Sequence, residues 1–157
     1  SIGLVEDGEP VVGVIYNPIR KEMFSCEKGK GVYLNGEKVH VTKKNSLISS
    51  SIVVSRSELK RNEWEPFRNQ LKSIMPIGSV AYKLALVSAG EHDIFATVAP
   101  KNEWDICAGD CLVTEAGGIF KTINNKKIIY NQKKTLVTDT IIATNLKLYE
   151  EISDLLF

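Results

Sequence analysis

Short apolar runs separated by turn residues make up the first quarter of the chain. Ile2–Val5 and Val11–Tyr16 are two such runs, and Asp7-Gly8 between them is typical of a β-hairpin turn. Asn35-Gly36 is a second hairpin signal, because both residues tolerate the positive φ angles of a type I′ turn. The pattern predicts an antiparallel meander over residues 1–42.

After this meander, short β-branched runs alternate with amphipathic segments, which is typical of an α/β unit. A polar, Ser-rich linker over residues 43–51 separates the two patterns. We therefore expect antiparallel strands over residues 1–44 and a C-terminal α/β unit over residues 45–157. The predicted strands of this unit are Ile52–Val54, Ile74–Ile77, His92–Val98, Gly118–Thr122, Ile128–Tyr130 and Ile141–Ala143, and the predicted helices are Arg61–Leu71, Ser79–Ala89, a segment from Trp104 to Gly117-Gly118, and a final helix capped by Asn145.

Composition narrows the classes of function. The 20 basic and 19 acidic residues give a formal net charge of +1, without the basic stripe that nucleic-acid binding needs. No apolar run reaches the length of a membrane span. The three cysteines are an odd count, which indicates free thiols in a reducing cytoplasm. We expect a cytoplasmic protein that binds neither nucleic acid nor a membrane.

The segment Trp104–Gly118 carries the most specific chemistry. With Asn102 as N-cap, Asp105 stands at the third helical position, where a carboxylate can reach back and cap the helix. The same position suits a metal ligand, because a carboxylate at a helix end is held rigidly and can face a cleft. Spacing alone favours the cap and leaves the metal ligand open.

A second candidate is the turn Gly78-Ser79, between a predicted strand and a predicted helix. Backbone N–H groups are exposed at a helix start, so the turn suits an anion or a hydroxyl group. Plain capping by Ser79 is the alternative that the pattern favours. Lys83, one turn into the helix, is either a solvated lysine or a ligand for a second phosphate.

Other candidates for metal binding or catalysis are weaker. Cys107 and Cys111 lie four residues apart, but no second Cys or His pair completes a tetrahedral zinc site, which favours small buried thiols. His40 and His92 have no Ser or Cys partner at hand and are expected on the polar surface. We assign no catalytic residue to this chain with certainty.

The stretch WDICAGDCLVTEAGG resembles the C-terminal signature of the inositol monophosphatase superfamily, which reads Trp-Asp, a small-residue stretch and Glu-Ala-Gly-Gly. The resemblance implies the C-terminal portion of the layered αβαβα sandwich of the inositol monophosphatase-like sugar phosphatase fold. It also implies Mg²⁺-dependent, lithium-sensitive hydrolysis of small phosphate monoesters. By the same resemblance, Asp105 binds Mg²⁺, and Gly78, Ser79 and Val80 line the substrate pocket.

The resemblance covers the later part of the family's domain. The upstream motif Asp-Pro-x-Asp-Gly-Thr does not occur here, and the chain does not start with Met. Since Mg²⁺ needs several oxygen ligands and Asp105 supplies one, we expect this chain alone to be inactive and to need a missing N-terminal half. Unpaired strand edges near Ser1 predict a homodimer of this chain. The alternative is a non-catalytic phosphate-binding or interaction module.

The substrate is narrowed by one departure from the family's pattern. Inositol monophosphatases place a Glu seven residues before the metal-binding Asp, whereas this chain has Val98 there. Pro100 and the polar segment before Trp104 look more similar to the 3′(2′),5′-bisphosphate nucleotidase branch. Lys83 would suit a second phosphate, although that branch has its Lys one position nearer the Gly. We therefore expect a bisphosphorylated nucleotide or another small phosphate ester.

Overall fold

The computed structural model describes residues 1–156, so Phe157, the last residue of the predicted C-terminal unit, lies outside the described residues. The strands are β1 (Ile2–Glu6), β2 (Glu9–Asn17), β3 (Glu22–Glu27), β4 (Gly31–Leu34), β5 (Glu37–Val39), β6 (Ser51–Val54), β7 (Ser73–Pro76), β8 (Ile94–Thr97), β9 (Lys101–Asn102), β10 (Ile119–Thr122), β11 (Leu136–Val137) and β12 (Ile141–Thr144). The α-helices are α1 (Arg56–Lys60), α2 (Val80–Ser88), α3 (Glu103–Glu115) and α4 (Leu146–Leu156), and Leu47–Ser49 and Glu65–Gln70 form 3-10 helices.

The first five strands form an antiparallel sheet in chain order. Asp7 and Gly8 join β1 to β2 with φ angles of 51° and 81°, and Asn35 and Gly36 join β4 to β5 with φ angles of 50° and 89°. Positive φ at both central residues is the requirement of a type I′ turn. The predicted meander is confirmed. The predicted division of the chain into two units at residue 44 stays a prediction.

The second sheet is mixed and has the order β10-β12-β8-β6-β7. Strand β6 runs parallel to both β7 and β8, while β12 runs antiparallel to both β8 and β10. Strands β6, β8 and β12 are almost wholly buried, which agrees with their β-branched and aromatic sequences. A two-stranded pair, β9 with β11, lies beside the start of α3.

Helices α2 and α3 fill the space between the two sheets. One core cluster joins them to the first sheet through Phe24 and Val32, and another joins them to the second sheet through Val53 and Phe95. Helix α4 and the 3-10 helix Glu65–Gln70 cover the opposite face of the second sheet. The order of layers is sheet, helices, sheet, helices, as expected of an α/β sandwich.

Two predicted elements were wrong. No helix spans Arg61–Leu71, because Asn62, with a φ angle of 58°, follows the end of α1 and Pro66 opens a separate 3-10 helix. The predicted strand Ile128–Tyr130 does not pair with a neighbouring strand among residues 1–156; instead, the Tyr130 N–H donates to the Gly8 carbonyl over 2.9 Å.

Candidate active site

The ends of three neighbouring parallel strands bring the candidate residues to one edge of the second sheet. Strand β6 lies between β7 and β8. Arg56 follows β6, Gly78 follows β7 and Lys101 follows β8, each within a few residues of the strand end. In open α/β sheets, ligands bind in the crevice outside the carboxyl ends of the strands. This edge is therefore the candidate active site.

Ser79 forms the sharp turn that leads from β7 into α2. Its backbone has φ 64° and ψ 125°, and its Oγ accepts a hydrogen bond from the Tyr82 N–H over 3.2 Å. The capping role is confirmed, because the hydroxyl satisfies a free N–H at the helix start. A positive φ is strained for a residue with a side chain, and such strain concentrates at binding sites.

A cleft of about 430 Å³ opens beside this turn. Its walls come from the end of β2, from the turn and first residues of α2, and from the start of α1. The residues that line the cleft include Tyr16, Asn17, Arg56, Gly78, Ser79 and Tyr82. The volume lies within the range of small-molecule sites in proteins, about 300–1,000 Å³.

Of the four predicted substrate-binding residues, Gly78 and Ser79 line this cleft, whereas Val80 and Lys83 face the core. Val80 packs against the cluster between the helices and the second sheet. Lys83 is 2% exposed, and its Nζ donates to the Ile77 carbonyl over 3.3 Å and lies 5.5 Å from the centre of the Phe95 ring. Burial lowers the pKa of Lys83 to about 8, despite the opposing effect of Glu58.

Below the cleft, Glu58 is a buried carboxylate that the sequence interpretation missed. It accepts hydrogen bonds from the Thr97 hydroxyl over 2.6 Å and from the Ser55 N–H over 3.0 Å. Burial alone would raise the pKa of Glu58, but these bonds outweigh it and hold the pKa below its ordinary value. The sequence contained a signal for the position of Glu58, because Ser55 and Glu58 have the spacing of a helix capping box.

Asp105 lies half-buried in the first turn of α3, and one of its oxygens accepts a hydrogen bond from the Asn102 N–H over 3.3 Å. The cap is thus confirmed. Lys101 stands nearby, with its Nζ donating to the Ala99 carbonyl over 2.7 Å. Burial lowers the pKa of Lys101, while Glu58 and Asp105 act in the opposite direction. Charges from two strand ends therefore meet around Lys101.

The side chains of residues 1–156 do not form a complete Mg²⁺ site. Within residues 1–156, no group of three or more His, Cys, Asp or Glu side chains is placed to hold a metal ion. Asp105 fits the role of one ligand, because its second carboxylate oxygen makes no hydrogen bond within the described part of the chain. A hard cation needs several oxygen ligands, so Asp105 alone does not bind it firmly.

The other acidic residues of α3 are anchors. Glu103 accepts hydrogen bonds from the N–H groups of Asn131 and Gln132 over 2.8 and 3.2 Å. Asp110 accepts one from the Tyr130 hydroxyl over 2.8 Å, and burial raises the pKa of Asp110 to about 6. At the C-terminal end of α3, Glu115 accepts hydrogen bonds from the N–H groups of Gly29 and Gly31 at the β3–β4 turn. These contacts fix α3 to the elements around it.

The cysteines agree with the prediction from the sequence, whereas one of the two histidines differs from it. Cys107 and Cys111 are buried free thiols, as favoured, and burial raises the pKa of Cys107 to about 11. His40 is exposed, but His92 was wrongly placed on the surface. It is half-buried, with Nδ1 3.3 Å from the Ser51 hydroxyl, because Ser51 begins the neighbouring strand β6.

Each helix within residues 1–156 is too short or too polar to span a lipid bilayer.

Known proteins and a family model match most of the chain. A model of the inositol monophosphatase family matches residues 1–155. Inositol monophosphatase 2 of Saccharomyces cerevisiae is 31% identical over 136 residues, which cover 76% of this chain and 46% of the yeast protein. Fructose-1,6-bisphosphatase/inositol-1-monophosphatase of Methanocaldococcus jannaschii is 29% identical over 155 residues, which cover 98% of this chain and 60% of the archaeal protein.

Solved structures agree with the layered arrangement. The IMPase of Thermotoga maritima matches with a TM-score of 0.85 at 29% sequence identity, covering 98% of this chain and 58% of that one. The predicted α/β fold class is confirmed by this likeness. The chain spans about half the length of the curated relatives it matches.

Proposed function

Because the chain belongs to the inositol monophosphatase family, we propose that it is the C-terminal part of a Mg²⁺-dependent phosphatase that hydrolyses a small phosphate monoester. One observation carries the proposal: Asp105 and the turn Gly78-Ser79 both follow strands that end at the same edge of the second sheet, and the turn lines an open cleft. A carboxylate and a ring of polar groups at a strand-end crevice suit a phosphorylated ligand.

Asp105 would supply one oxygen ligand to Mg²⁺, whose role in such a site is to neutralise the charge of the phosphate. The remaining ligands would come from the rest of a longer protein, since the relatives are about twice the length of this chain. We therefore propose that the chain alone is inactive or nearly so. Lithium inhibition is part of the same proposal.

The outward face of the first sheet is the surface on which we propose that the rest of the protein packs. Ile2 and Val14 pair across strands, as do Leu4 and Val12, so these side chains share one face. Ile2 is 71% and Leu4 57% exposed, whereas Phe24, on the opposite face, is fully buried. Contiguous exposed apolar surface of this kind marks an interaction site.

Without its covering segment, the same face would join two copies of the chain. We propose that the chain alone forms a homodimer and that Leu4→Lys weakens it, because a charge would then be desolvated in the interface. Sedimentation velocity tests this. Leu146→Lys, at a leucine that is 61% exposed on α4 and outside the first sheet, is the matched control and should leave the dimer intact. A monomeric wild-type chain would contradict the proposed dimer.

The substrate that we propose is a bisphosphorylated nucleotide. The archaeal relative is named for both a bisphosphate and a monophosphate substrate, so two-phosphate substrates fall within the range of names among the relatives. Val98, in place of the Glu of inositol monophosphatases, is 43% exposed and apolar. It offers no acceptor to a ring hydroxyl. A cytoplasmic location completes the proposal, supported by the three free cysteines.

Hydrolysis of adenosine 3′,5′-bisphosphate and of inositol 1-phosphate, measured with Mg²⁺ on the full-length protein and on this chain, tests the proposal. We expect activity in the full-length protein alone, with the bisphosphate preferred. Equal activity in the short chain would show that it needs no further ligands. Binding of both compounds without hydrolysis would favour the alternative, a phosphate-binding module.

A further inference from the structure

Among residues 1–156, Arg56 has no acidic partner, and its side chain lines the cleft. Arg20, Arg61 and Arg68 each pair with a glutamate two or three residues away, at distances of 2.6 to 2.9 Å. Within the described residues 1–156, no carboxylate lies within 4.0 Å of the Arg56 guanidinium, although the side chain lines the cleft. Its five N–H donors are free to bind an anion.

The guanidinium group lies against the turn that forms one wall of the cleft. A Cβ placed on Gly78 would stand 3.5 Å from Nη2, 3.6 Å from Cζ and 3.9 Å from Nη1 of Arg56. The end of the guanidinium group therefore packs against Gly78, and a long side chain at position 78 would displace the guanidinium. This contact holds the charge beside the Ser79 turn.

Two glutamates beside the cleft-lining residues Tyr82 and Arg56 already have partners. Glu22 accepts a hydrogen bond from the Tyr82 hydroxyl over 2.6 Å and pairs with Arg20 over 2.7 Å. Glu58, in the same helix α1 as Arg56, is fully buried and accepts a hydrogen bond from Thr97. Neither acid forms an ion pair with Arg56, so among residues 1–156 the guanidinium lines the cleft with no carboxylate within 4.0 Å.

From this geometry, and resting on the proposed phosphatase function, we infer that Arg56 is the specificity-determining residue that binds the second phosphate of a bisphosphorylated substrate. A guanidinium group matches two phosphate oxygens with two parallel hydrogen bonds, which a lysine cannot do. Lys83, predicted for this role from the sequence, faces the core and donates to the Ile77 carbonyl instead. The second phosphate thus lies in the cleft, beside Gly78.

The test compares adenosine 3′,5′-bisphosphate with adenosine 3′-monophosphate, which differ by one phosphate, on full-length protein carrying Arg56→Gln. Charge-assisted bonds of this kind correspond to roughly 10- to 100-fold in affinity. We expect KM for the bisphosphate to rise by about that factor, while KM for the monophosphate changes by less than about threefold. Arg56→Lys should recover part of the loss, because it keeps the charge but not the fork.

Arg61→Gln is the matched control, since Arg61 is exposed, lies at the end of the same helix and is paired with Glu63. It should leave both KM values unchanged. An equal rise of KM for both substrates in Arg56→Gln, or no rise for the bisphosphate, would overturn the assignment.

A binding measurement separates this inference from the proposed function. Calorimetric titration of the two nucleotides in EDTA, without Mg²⁺, reports the contribution of the second phosphate even if the protein hydrolyses neither. Tighter binding of the bisphosphate by the wild type, abolished in Arg56→Gln, supports the role of Arg56. Equal affinity of the wild type for both nucleotides contradicts it. Absence of hydrolysis by itself would count against the phosphatase proposal alone.

Discussion

The hydroxyl of Thr97 donates a hydrogen bond to the carboxylate of Glu58 over 2.6 Å, and both residues are buried. Thr97 ends β8 and Glu58 belongs to α1, which follows the neighbouring parallel strand β6. The bond therefore ties together two strand ends. Arg56 follows the end of β6, and Lys101 and then Asp105 follow the end of β8.

Glu58→Gln should destabilise the protein at pH 7 by about 1–3 kcal/mol, because a buried charged acceptor is replaced by a weaker neutral one. The folded-state pKa of Glu58 lies below its ordinary value, so the wild-type carboxylate adds stability above the unfolded pKa. That contribution is lost as the pH falls through the folded pKa. Denaturant unfolding at pH 7 and near pH 3 should show the difference between the two proteins narrowing in acid.

The matched control is Glu65→Gln, since Glu65 pairs with Arg68 on the surface. An exposed ion pair contributes roughly 0–1 kcal/mol, so this variant should differ little from the wild type at either pH. A difference between Glu58→Gln and the wild type that stays constant with pH would contradict the assigned role of the Glu58 charge.

Asp110→Asn should change the stability at pH 7 in the opposite direction, because it should stabilise the protein. Burial raises the folded-state pKa of Asp110 to about 6, from the ordinary value of 3.8. The folded state therefore holds a proton that the unfolded state has lost, and stability falls as the pH rises through this window. At pH 7 the neutral amide should stabilise the protein by up to about 3 kcal/mol, while Tyr130 can still donate to it.

Thermal or urea unfolding between pH 4 and pH 8 measures this effect. The stability of the wild type should decline between about pH 4 and pH 6 relative to that of Asp110→Asn. Tyr130→Phe is the comparison variant, because it removes the hydroxyl that donates to Asp110 over 2.8 Å and should destabilise the ionised form. An Asp110→Asn protein that is less stable than the wild type at pH 7 would contradict the account.

Gly109→Ala should destabilise the crossing of α2 and α3. The new Cβ would stand 2.6 Å from the Leu84 Cβ, which is closer than packed carbons approach. Overpacking of this kind costs about 1–3 kcal/mol. The double variant Gly109→Ala with Leu84→Gly should be more stable than the sum of the single effects predicts, since the second change removes the Leu84 Cβ that the new methyl group meets. Strict additivity in urea unfolding would argue against a direct clash.

The sequence predicted best where local chemistry decides the structure. Asp7-Gly8 and Asn35-Gly36 require hairpins because few other pairs adopt two positive φ angles. The alternation of Ile94 and Ala96 with Phe95 likewise matches the two faces of β8, which contribute to different core clusters. Such signals need no knowledge of distant residues.

Prediction failed where a single residue or a distant contact overrides apolar spacing. The spacing over Arg61–Leu71 predicted one helix, whereas Asn62 and Pro66 separate the end of α1 from a short 3-10 helix. Tyr130 looked like part of a strand, although it is held by the buried Asp110. The backbone conformations of Asn62 and Pro66 set the first outcome, and the contact with a distant side chain sets the second.

The candidate site shows the same limit. Helical spacing placed Lys83 one turn after Ser79, yet it could not show which face of α2 meets the core. Arg56 carried no motif signal, because its importance comes from its place beside Gly78, which follows a different strand. Asp105 was found from its signature alone, and its metal role stays a prediction.

We propose that Asp105 supplies a metal ligand to a phosphatase site that this chain shares with the rest of a longer protein. The most direct test of this proposal is the Mg²⁺-dependent kcat/KM of full-length Asp105→Asn, with the exposed Asp139→Asn as control. Asparagine keeps an oxygen for the Asn102 N–H, so the cap survives. We expect a loss of at least about a hundredfold for Asp105→Asn and none for the control. Full activity of Asp105→Asn would contradict the account.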